Sequence, residues 1–263
     1  MKINKGAVST SAQLQQYLQE CSLKSPRLFH YTTYESLVCI IKNMCFRLSR
    51  MDLMNDKAEQ TLGIQDERIK NYILSFTRDK EYVSMWAMYG RPSGIKLRVD
   101  FDRELFYKTV NGNFYKDNSL KQRISINQDN NTKPLYKKEL LLSDIVYLDK
   151  TKNELVHNEK SFQNIKATKD VIDDMTGFIK YDAWEFEREV RLRVLIRHEL
   201  ISGDVPKYIY AAITQELIRD FHITFNPWLS TEMKEEIRKS LDTLAGYNLS
   251  YNNSQNDGEI SEL

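Results

Sequence analysis

Three short stretches of this sequence carry side chains that can do chemistry, and they lie far apart along the chain. His30 stands in LFHYTTYE, where an apolar and aromatic run gives way to a helix start. Tyr89 lies near the end of the segment SMWAMYG. Glu189 is the last of three alternating glutamates in WEFEREVRLRV. The order of the three, histidine then tyrosine then glutamate, is more informative than any one of them alone.

The segment around Glu189 predicts a long strand over residues 184–196, because charged and apolar residues alternate in it. One face of that strand carries only charged side chains, namely Glu185, Glu187, Glu189, Arg191 and Arg193. A solvated face of paired charges explains this pattern without any function. Alternatively, one carboxylate lies in a cleft beside arginines, which keep it ionised. Such a group suits the orientation of a hydroxyl or the stabilisation of a cation, and it suits general acid catalysis poorly.

The environments of His30 and Tyr89 also permit a structural and a functional interpretation. A lone histidine in a strand, predicted here at 28–31, commonly belongs to the core, and Thr32 with Glu35 forms a capping box for the following helix. The first N–H groups of that helix nevertheless lie beside the imidazole and suit a phosphate or a ribose. Tyr89 is either a tyrosine at the rim of the core or part of an aromatic platform for a flat heterocycle.

The elements that must position these residues indicate an α+β fold. Strands are predicted at 28–31, 45–49, 71–77, 94–101, 144–149, 184–196, 207–214 and 221–225. Helices are predicted at 10–20, 81–90, 153–180 and 230–245, and one more begins at Thr32. Residues 111–140 are polar and aperiodic, which predicts a partly flexible surface insertion within a single domain of residues 1–250. The tail 251–263 is predicted to be disordered.

The amino-acid composition limits the classes of protein to which this chain can belong. The 263 residues carry a formal net charge of +1, so no overall basic field attracts nucleic acid. Three cysteines without a CxxC pair suit a reducing cytoplasm and argue against a disulfide framework or a zinc knuckle. The four histidines are scattered, so a histidine-based metal site is not expected. We find no apolar signal-peptide core and no segment with the roughly 20 apolar residues that cross a bilayer.

Five segments in order resemble a known family: LFHYTTYESLVCIIKN with FRLS, MNDKAE, LSFT with SMWAMYG, GIKLRVDF, and KYDAWEFEREVRL. Over roughly residues 27–225 they resemble the bacterial domain of unknown function family 2971, although Lys57 replaces a usual proline and FNPW replaces a glycine-rich end. That family in turn resembles the ADP-ribosyltransferase superfamily with a His-Tyr-Glu site, and the opening segment is similar to the start of DarT-type DNA-modifying toxins. The resemblance implies two packed, mostly antiparallel sheets, flanked by helices, with NAD in a cleft between them.

The resemblance also implies roles for individual residues. Glu189 would be the catalytic carboxylate that holds the 2′-hydroxyl of the nicotinamide ribose, with Glu187 as the alternative. His30 would bond the ribose, and Tyr89 would stack on the nicotinamide, with Tyr31 as the less favoured choice. The other residues expected at the cofactor are Thr32 beside the histidine, Ser75 and Thr77 on the nicotinamide side, and Arg27 and Arg50 at the pyrophosphate.

The function implied by the resemblance is that of an NAD-dependent ADP-ribosyltransferase, with NAD as substrate and no metal. It would act in the bacterial cytoplasm as a toxin or phage-defence effector on a nucleic acid or protein acceptor, with an antitoxin as a potential partner. A metal-dependent nuclease built on Asp56, Glu59 and the carboxylates of 185–189 is one alternative. A non-catalytic recognition domain that kept the cleft, such as an antitoxin or a sensor, is another.

Overall fold

The computed structural model of the chain describes residues 4–54, 59, 61–63, 66–78, 83–88, 95–126, 139–197 and 204–255. The helices in these ranges are α1 (Ser11–Ser22), α2 (Tyr34–Asn43), α3 (Val83–Met88), α4 (Arg103–Val110), α5 (Lys169–Asp174), α6 (Gln215–Arg219) and α7 (Thr231–Ala245). Short 3-10 helices lie at Lys5–Ala7, Met51–Leu53 and Asp182–Glu187. None of the helices described is both long and apolar enough to cross a membrane.

Strands form the frame of the molecule. They are β1 (Arg27–Thr33), β2 (Cys45–Arg50), β3 (Ile69–Thr77), β4 (Lys96–Asp102), β5 (Phe114–Tyr115), β6 (Arg123–Ile124), β7 (Leu140–Asp144), β8 (Val146–Asp149), β9 (Glu154–His157), β10 (Lys160–Lys166), β11 (Ile179–Tyr181), β12 (Glu189–Arg197), β13 (Tyr208–Ala212), β14 (His222–Phe225) and β15 (Ser250–Asn252). Within the described residues they make a larger sheet and a smaller sheet with the order β10-β9-β8-β11. Pairing is antiparallel except between β8 and β11 and between β14 and β15. The predicted α+β class, with two mostly antiparallel sheets flanked by helices, is confirmed.

The larger sheet splits along one edge of β3. Strand β12 pairs with the other edge of β3 along its whole length, from Glu189 opposite Thr77 to Arg197 opposite Ile69. On the opposite edge of β3, two different strands pair with its two halves. Strand β1 pairs with it at Thr77, and β2 pairs with it at Ile73 and Tyr72. Leu74 and Ser75 lie between these two contacts. A gap therefore opens between β1 and β2, and α2 connects the two strands beside it.

Two hydrophobic cores hold the sheets in place. The first fills the space between the larger sheet and the helices α2, α4, α6 and α7, and Val190, Leu192 and Val194 of β12 belong to it, as the alternation in sequence predicts. The second packs the smaller sheet against α1 and includes Leu14, Phe162 and other buried apolar residues. Each core is continuous, which is the usual consequence of pairing an apolar sheet face with apolar helix faces.

The charged face of β12 is buried, so its interpretation as a solvated face is wrong. Arg191 and Arg193 are at most 1% exposed, because the segment leading into β11 covers them. The guanidinium of Arg193 donates to the carbonyl of Thr176 at 2.7 Å and lies over the ring of Phe178. Gly177 makes this approach possible, since a Cβ there would lie 2.6 Å from the Cδ atom of Arg193.

Two predicted elements differ from the structure. The predicted helix over 153–180 is instead the hairpin of β9 and β10 followed by the short helix α5. Asn158 and Glu159 turn this hairpin with φ of 54° and 61°, a conformation that the two central residues of a tight hairpin require. The predicted strand over 184–196 begins only at Glu189, because a 3-10 helix and the left-handed Arg188 precede it. Glu185 therefore does not share the strand face with Glu189.

Smaller corrections concern a helix cap, the insertion and the tail. The N-cap of α2 is Thr33, whose side chain accepts from the N–H of Ser36; the predicted Thr32 with Glu35 is one residue too early. Part of the predicted insertion is ordered as β5 and β6, and its residues 127–138 lie outside the described ranges. Tyr251 belongs to β15, so the tail does not start at residue 251 as predicted.

Candidate active site

A cleft of about 500 Å³ opens where β1 and β2 part on β3. His30 comes from β1, Arg47 from β2 and Ser75 from β3, and α2 lines one wall. Arg191 reaches it from β12, and Lys180 reaches it from the smaller sheet. Both sheets thus contribute to the cleft, and its volume is typical of sites for small molecules and cofactors.

His30 is a neutral imidazole fixed at the split in the sheet. Its Nδ1 atom lies 3.1 Å from the carbonyl oxygen of Ser75. Since a carbonyl only accepts, Nδ1 carries the proton and Nε2 of the neutral ring is an acceptor. Burial lowers the pKa of His30, and the bond to Ser75 only partly opposes this. The rings of Phe46 and Phe76, each 5.7 Å away, hold the imidazole edge-on.

Glu189 is a buried carboxylate bound on both oxygens. Arg191 donates Nε to Oε1 at 2.7 Å and Nη2 to Oε2 at 2.9 Å, the bidentate geometry that arginine and carboxylate favour. Ser75 donates its hydroxyl to Oε1 at 2.5 Å. Because the carbonyl of Ser75 also binds His30, one residue joins the imidazole to the carboxylate. The structure therefore brings the two ends of the predicted site together.

The charges around Glu189 keep it ionised. Burial alone raises the pKa of the carboxyl, but the attraction of Arg191 and Lys180, with hydrogen bonds from Arg191 and Ser75, brings the pKa below its ordinary value. Arg191 is held charged in the same way, because Glu189 and Glu59 outweigh the effect of burial and raise its pKa. A carboxylate in this state accepts hydrogen bonds and stabilises positive charge, and it is a poor proton donor.

Glu187 has a cation of its own. Its Oε2 atom accepts from Nζ of Lys180 at 2.6 Å, and the same Nζ atom is 3.7 Å from Oε2 of Glu189. Burial by itself lowers the pKa of Lys180, but the two glutamates raise it above its ordinary value. Glu187 and Glu189 are thus neighbours around one ammonium, and only Glu189 is bonded to Ser75 in the contacts described here.

The other predicted residues divide into those at the cleft and those away from it. Thr32 lines the cleft, and Thr77 lies opposite Glu189 in the sheet, with Thr77 buried. Tyr31 packs edge-on against Trp86 with ring centroids 4.9 Å apart. Tyr89 and Asp56 lie outside the described residues.

The two arginines predicted at the pyrophosphate do not line the cleft. Arg27 places Nε 2.6 Å from Asp100 and also contacts Asp220, so it ties β1 to β4 and to the segment after α6. Arg50 pairs with Asp52 at 2.7 Å and donates to the carbonyl of Val205. In both cases a carboxylate of the protein binds the guanidinium group.

Sequence reasoning missed one residue of the site and gave another a different role. Arg47 is the arginine that does line the cleft, with its guanidinium 4.6 Å from the ring of Tyr208. Arg47 alternates with Cys45 and Ser49 along β2, so the three side chains lie on one face of the strand. This spacing could have predicted from the sequence that they share a site. Glu59, from the segment MNDKAE, binds Nη1 of Arg191 on the side away from Glu189. No spacing rule links these two positions, so only the fold reveals this pair.

The contacts of Glu59 bear on the alternative of a nuclease. Glu59 and Glu189 share Arg191 between them, and Glu187 binds Lys180. Among the residues that the structure describes, no group of three side chains is arranged to hold a metal ion. Of the carboxylates proposed for a metal, Glu59, Glu187 and Glu189 are therefore each bound to a cation of the protein.

The fold and site together define a mixed α+β protein with a split sheet and a buried, arginine-bound glutamate that is bonded to Ser75 in the lining of the cleft. The family model described as protein of unknown function (DUF2971) matches residues 85–192, well under half of the chain. The predicted resemblance to this family is thereby confirmed over that range, which includes most of α3 and the start of β12 with Glu189, but not His30. No curated protein sequence is significantly similar to the chain.

Two solved structures are similar to the chain at a low level. They are Thermus sp. 2.9 DarT in complex with carba-NAD+ and the same protein in complex with NAD+. Each is 10% identical, with a TM-score of 0.39, over 89% of this chain and 97% of the other.

Proposed function

We propose that this protein is an NAD-dependent ADP-ribosyltransferase. The observation that carries the proposal is the convergence of His30 and Glu189 on Ser75 at the cleft, since these residues are separated by more than half of the chain. The motif resemblance set out above implies the same pair as the ribose-binding histidine and the catalytic glutamate. An unrelated buried ion pair would give no reason for a neutral imidazole at the same serine.

The hydrogen bonds leave Glu189 able to do this chemistry. A carboxylate oxygen offers two lone pairs, and Oε1 is filled by Ser75 and Arg191, whereas among the described residues Oε2 accepts a hydrogen bond from Nη2 of Arg191 alone. The second lone pair of Oε2 would accept the 2′-hydroxyl of the nicotinamide ribose. The link of Glu189 to the imidazole through Ser75 favours it as the catalytic carboxylate.

Preorganised charge supplies the rate enhancement. As the bond between nicotinamide and ribose breaks, positive charge develops on the ribose, and an ionised carboxylate stabilises that transition state more than the ground state. Arg191 and Ser75 fix the carboxylate beforehand, so little reorganisation accompanies the reaction. Nε2 of His30 accepts a hydrogen bond from a ribose hydroxyl, and Arg47 is the cleft cation suited to the pyrophosphate.

The test measures nicotinamide release from NAD by the purified full chain, with EDTA present and with cell lysate, RNA or DNA as acceptor. Glu189→Gln keeps the shape of the side chain and removes its charge, so we expect turnover to fall about a hundredfold or more. His30→Ala should also lower turnover. Glu232→Gln, on the surface of α7, is the matched control and should leave turnover unchanged.

Three results would contradict the proposal. One is the absence of nicotinamide release by the parent chain under all of these conditions. Another is full activity of Glu189→Gln in a variant whose circular dichroism shows that it is folded. A third is activity that EDTA abolishes, which would point to the metal-dependent nuclease.

We further propose a role as a bacterial toxin or phage-defence effector that acts in the cytoplasm and is controlled by an antitoxin. A toxin of this kind slows the growth of a host that expresses it. Glu189→Gln should relieve the growth defect at equal protein level. Equal toxicity of the parent chain and the variant would rule out a toxic activity that depends on this site.

A further inference from the structure

Lys180 is a buried cation of the cleft to which the proposed function assigns no role. It belongs to the short strand β11 of the smaller sheet and is 6% exposed. Its side chain reaches the larger sheet, where it lines the cleft together with Ser75 and Arg191. An ammonium group that is largely removed from water is costly unless its charge is balanced and its N–H groups are bound. The partners of this group therefore have to account for its position.

Two glutamates and a tryptophan surround the ammonium group. Nζ of Lys180 donates to Oε2 of Glu187 at 2.6 Å, and the ring centroid of Trp184 lies 4.6 Å from Nζ. Oε2 of Glu189 lies 3.7 Å from Nζ, which is close enough for an ion pair but too long for a hydrogen bond. Burial lowers the pKa of Lys180, but the attraction of the two carboxylates raises it above its ordinary value, so the group is charged at neutral pH.

The ammonium group has more donors than the protein around it uses. It carries three N–H donors and no acceptor. Among the described residues, its hydrogen bond to Glu187 uses one of the three. Buried donors are normally matched by water or by a ligand, because an unmatched donor destabilises the protein. Since Lys180 lines the cleft, an oxygen atom of a ligand bound there can take one of the remaining donors.

The distance between Lys180 and Glu189 selects the ligand group. In the proposed function, Oε2 of Glu189 accepts the 2′-hydroxyl of the nicotinamide ribose, and Nζ of Lys180 lies 3.7 Å from that oxygen. An acceptor and a donor side by side match the two neighbouring hydroxyls of a ribose, because one hydroxyl can donate while the other accepts. The phosphate is attached through C5′, further along the sugar, so the 3′-hydroxyl is the nearer acceptor.

We propose that Lys180 is a further substrate-binding residue of this site, and that its ammonium group donates a hydrogen bond to the 3′-hydroxyl of the nicotinamide ribose. The inference rests on the proposed function and deepens it, because it specifies how the sugar is held. Glu189 and Lys180 then bind the two hydroxyls together, and a sugar without one of them loses one contact. Two points of attachment also orient C1′ for the loss of nicotinamide.

Glu187 keeps the lysine from opposing the reaction. Positive charge develops on the ribose as nicotinamide leaves, and an unbalanced ammonium group beside it would raise the energy of that transition state. The carboxylate of Glu187, 2.6 Å from Nζ, balances the charge of Lys180. The pair is neutral overall, so it supplies a hydrogen-bond donor without adding positive charge at the sugar. Glu187 thereby has a role distinct from that of Glu189.

The experiment compares three substrates in the nicotinamide-release assay of the full chain. They are NAD, an NAD analogue without the 3′-hydroxyl on the nicotinamide ribose, and the matched analogue without the 3′-hydroxyl on the adenosine ribose. Because a hydrogen bond to a charged group contributes about ten- to a hundredfold, we expect kcat/KM of the parent chain to fall by that factor from NAD to the first analogue. Lys180→Met should turn over NAD and the first analogue with equal kcat/KM. Its discrimination against the adenosine analogue should equal that of the parent chain.

Two further variants control for folding and for the loss of a lysine. Lys180→Met leaves Glu187 buried without its cation, which destabilises a folded protein. The double variant Lys180→Met with Glu187→Gln removes both charges and serves if circular dichroism shows the single variant to be unfolded. Lys169→Met is the matched control, since Lys169 pairs with Asp173 at 2.8 Å but is 81% exposed on α5. It should keep the preference of the parent chain for NAD over the first analogue.

The outcomes separate this inference from the proposed function. Absence of nicotinamide release from NAD by the parent chain contradicts the proposed function and, with it, the inference. Turnover of NAD and of the first analogue by the parent chain with equal kcat/KM overturns the inference alone. So does an unchanged preference for NAD in the folded Lys180 variant, since another group would then bind the 3′-hydroxyl. An equal loss of discrimination against the adenosine analogue would also overturn it, because the effect would not be confined to the nicotinamide ribose.

Discussion

At the scale of single residues, Arg191 is the cation on which the candidate site depends. It binds Glu189 through Nε and Nη2, Glu59 through Nη1, and the carbonyl of Gly177 through Nη1 at 3.0 Å. Both carboxylates and the guanidinium are almost completely buried. Such a group stabilises a fold only while all of its partners are present, because an unpaired buried charge is far more costly than an unpaired surface charge.

Replacement of Arg191 is therefore expected to destabilise the folded protein strongly. Arg191→Met removes the shared cation and leaves Glu59 and Glu189 buried together, so the free energy of unfolding should fall by about 3–5 kcal/mol. Urea unfolding followed by circular dichroism measures this. Arg68→Met is the matched control: Arg68 pairs with Asp66 at 3.0 Å but is 80% exposed. An exposed pair contributes about 1 kcal/mol or less. Equal losses in both variants would contradict the role of burial.

At the scale of elements, the join between β1 and α2 positions the imidazole. Strand β1 leaves β3 after one pairing contact, and α2 begins only four residues after His30. The helix starts where Thr33 caps it, and a shift of this start by one residue would rotate the residues before it to the other face of the strand. The cap and the orientation of His30 are thus coupled.

The position of the cap can be tested directly. Thr33→Ala removes the acceptor for the N–H of Ser36, so the free energy of unfolding should fall by about 1 kcal/mol. Thr32→Val removes the hydroxyl at the neighbouring position and keeps the shape of the side chain, so it should have a smaller effect on capping. Thermal unfolding of the two variants compares them. A larger loss from Thr32→Val than from Thr33→Ala would restore the cap predicted from sequence.

At the scale of the whole molecule, two neutral histidines, one half-buried and one buried, make stability depend on pH. Burial lowers the pKa of His30 in the larger sheet and of His157 in the smaller sheet. In the unfolded chain both titrate near the ordinary value of about 6.5. The unfolded state therefore binds more protons than the native state below that pH, and stability is lost as the pH falls.

We expect the free energy of unfolding to be constant near pH 7 and to decrease from about pH 6.5 to pH 5, by up to about 1.4 kcal/mol per pH unit for each histidine. His157→Gln should reduce this slope, because one of the two groups is then absent. His222→Gln should leave it unchanged, and urea unfolding at several pH values measures all three. A slope that is identical in the parent chain and in His157→Gln would show that His157 is protonated in the native state.

The sequence by itself determined most of the strands, the α+β class and the pairing of His30 with Glu189 as candidates. Alternation over VRLRV placed the apolar side of β12 in the core, and the ordered motifs selected a histidine and a glutamate that are both bonded to Ser75. These features are local, since they depend on residue type and on spacing within one element.

Only the tertiary structure decided which charges meet. The bond of Arg191 to Glu59, the ion pair of Arg27 with Asp100, and the pairing of Asp144 with His157 all join separate segments of the chain. The pattern of a solvated charged face and that of a buried charged face are the same in sequence. The difference lies in whether another layer covers the face, and that depends on how the smaller sheet packs, a long-range contact that no local period encodes.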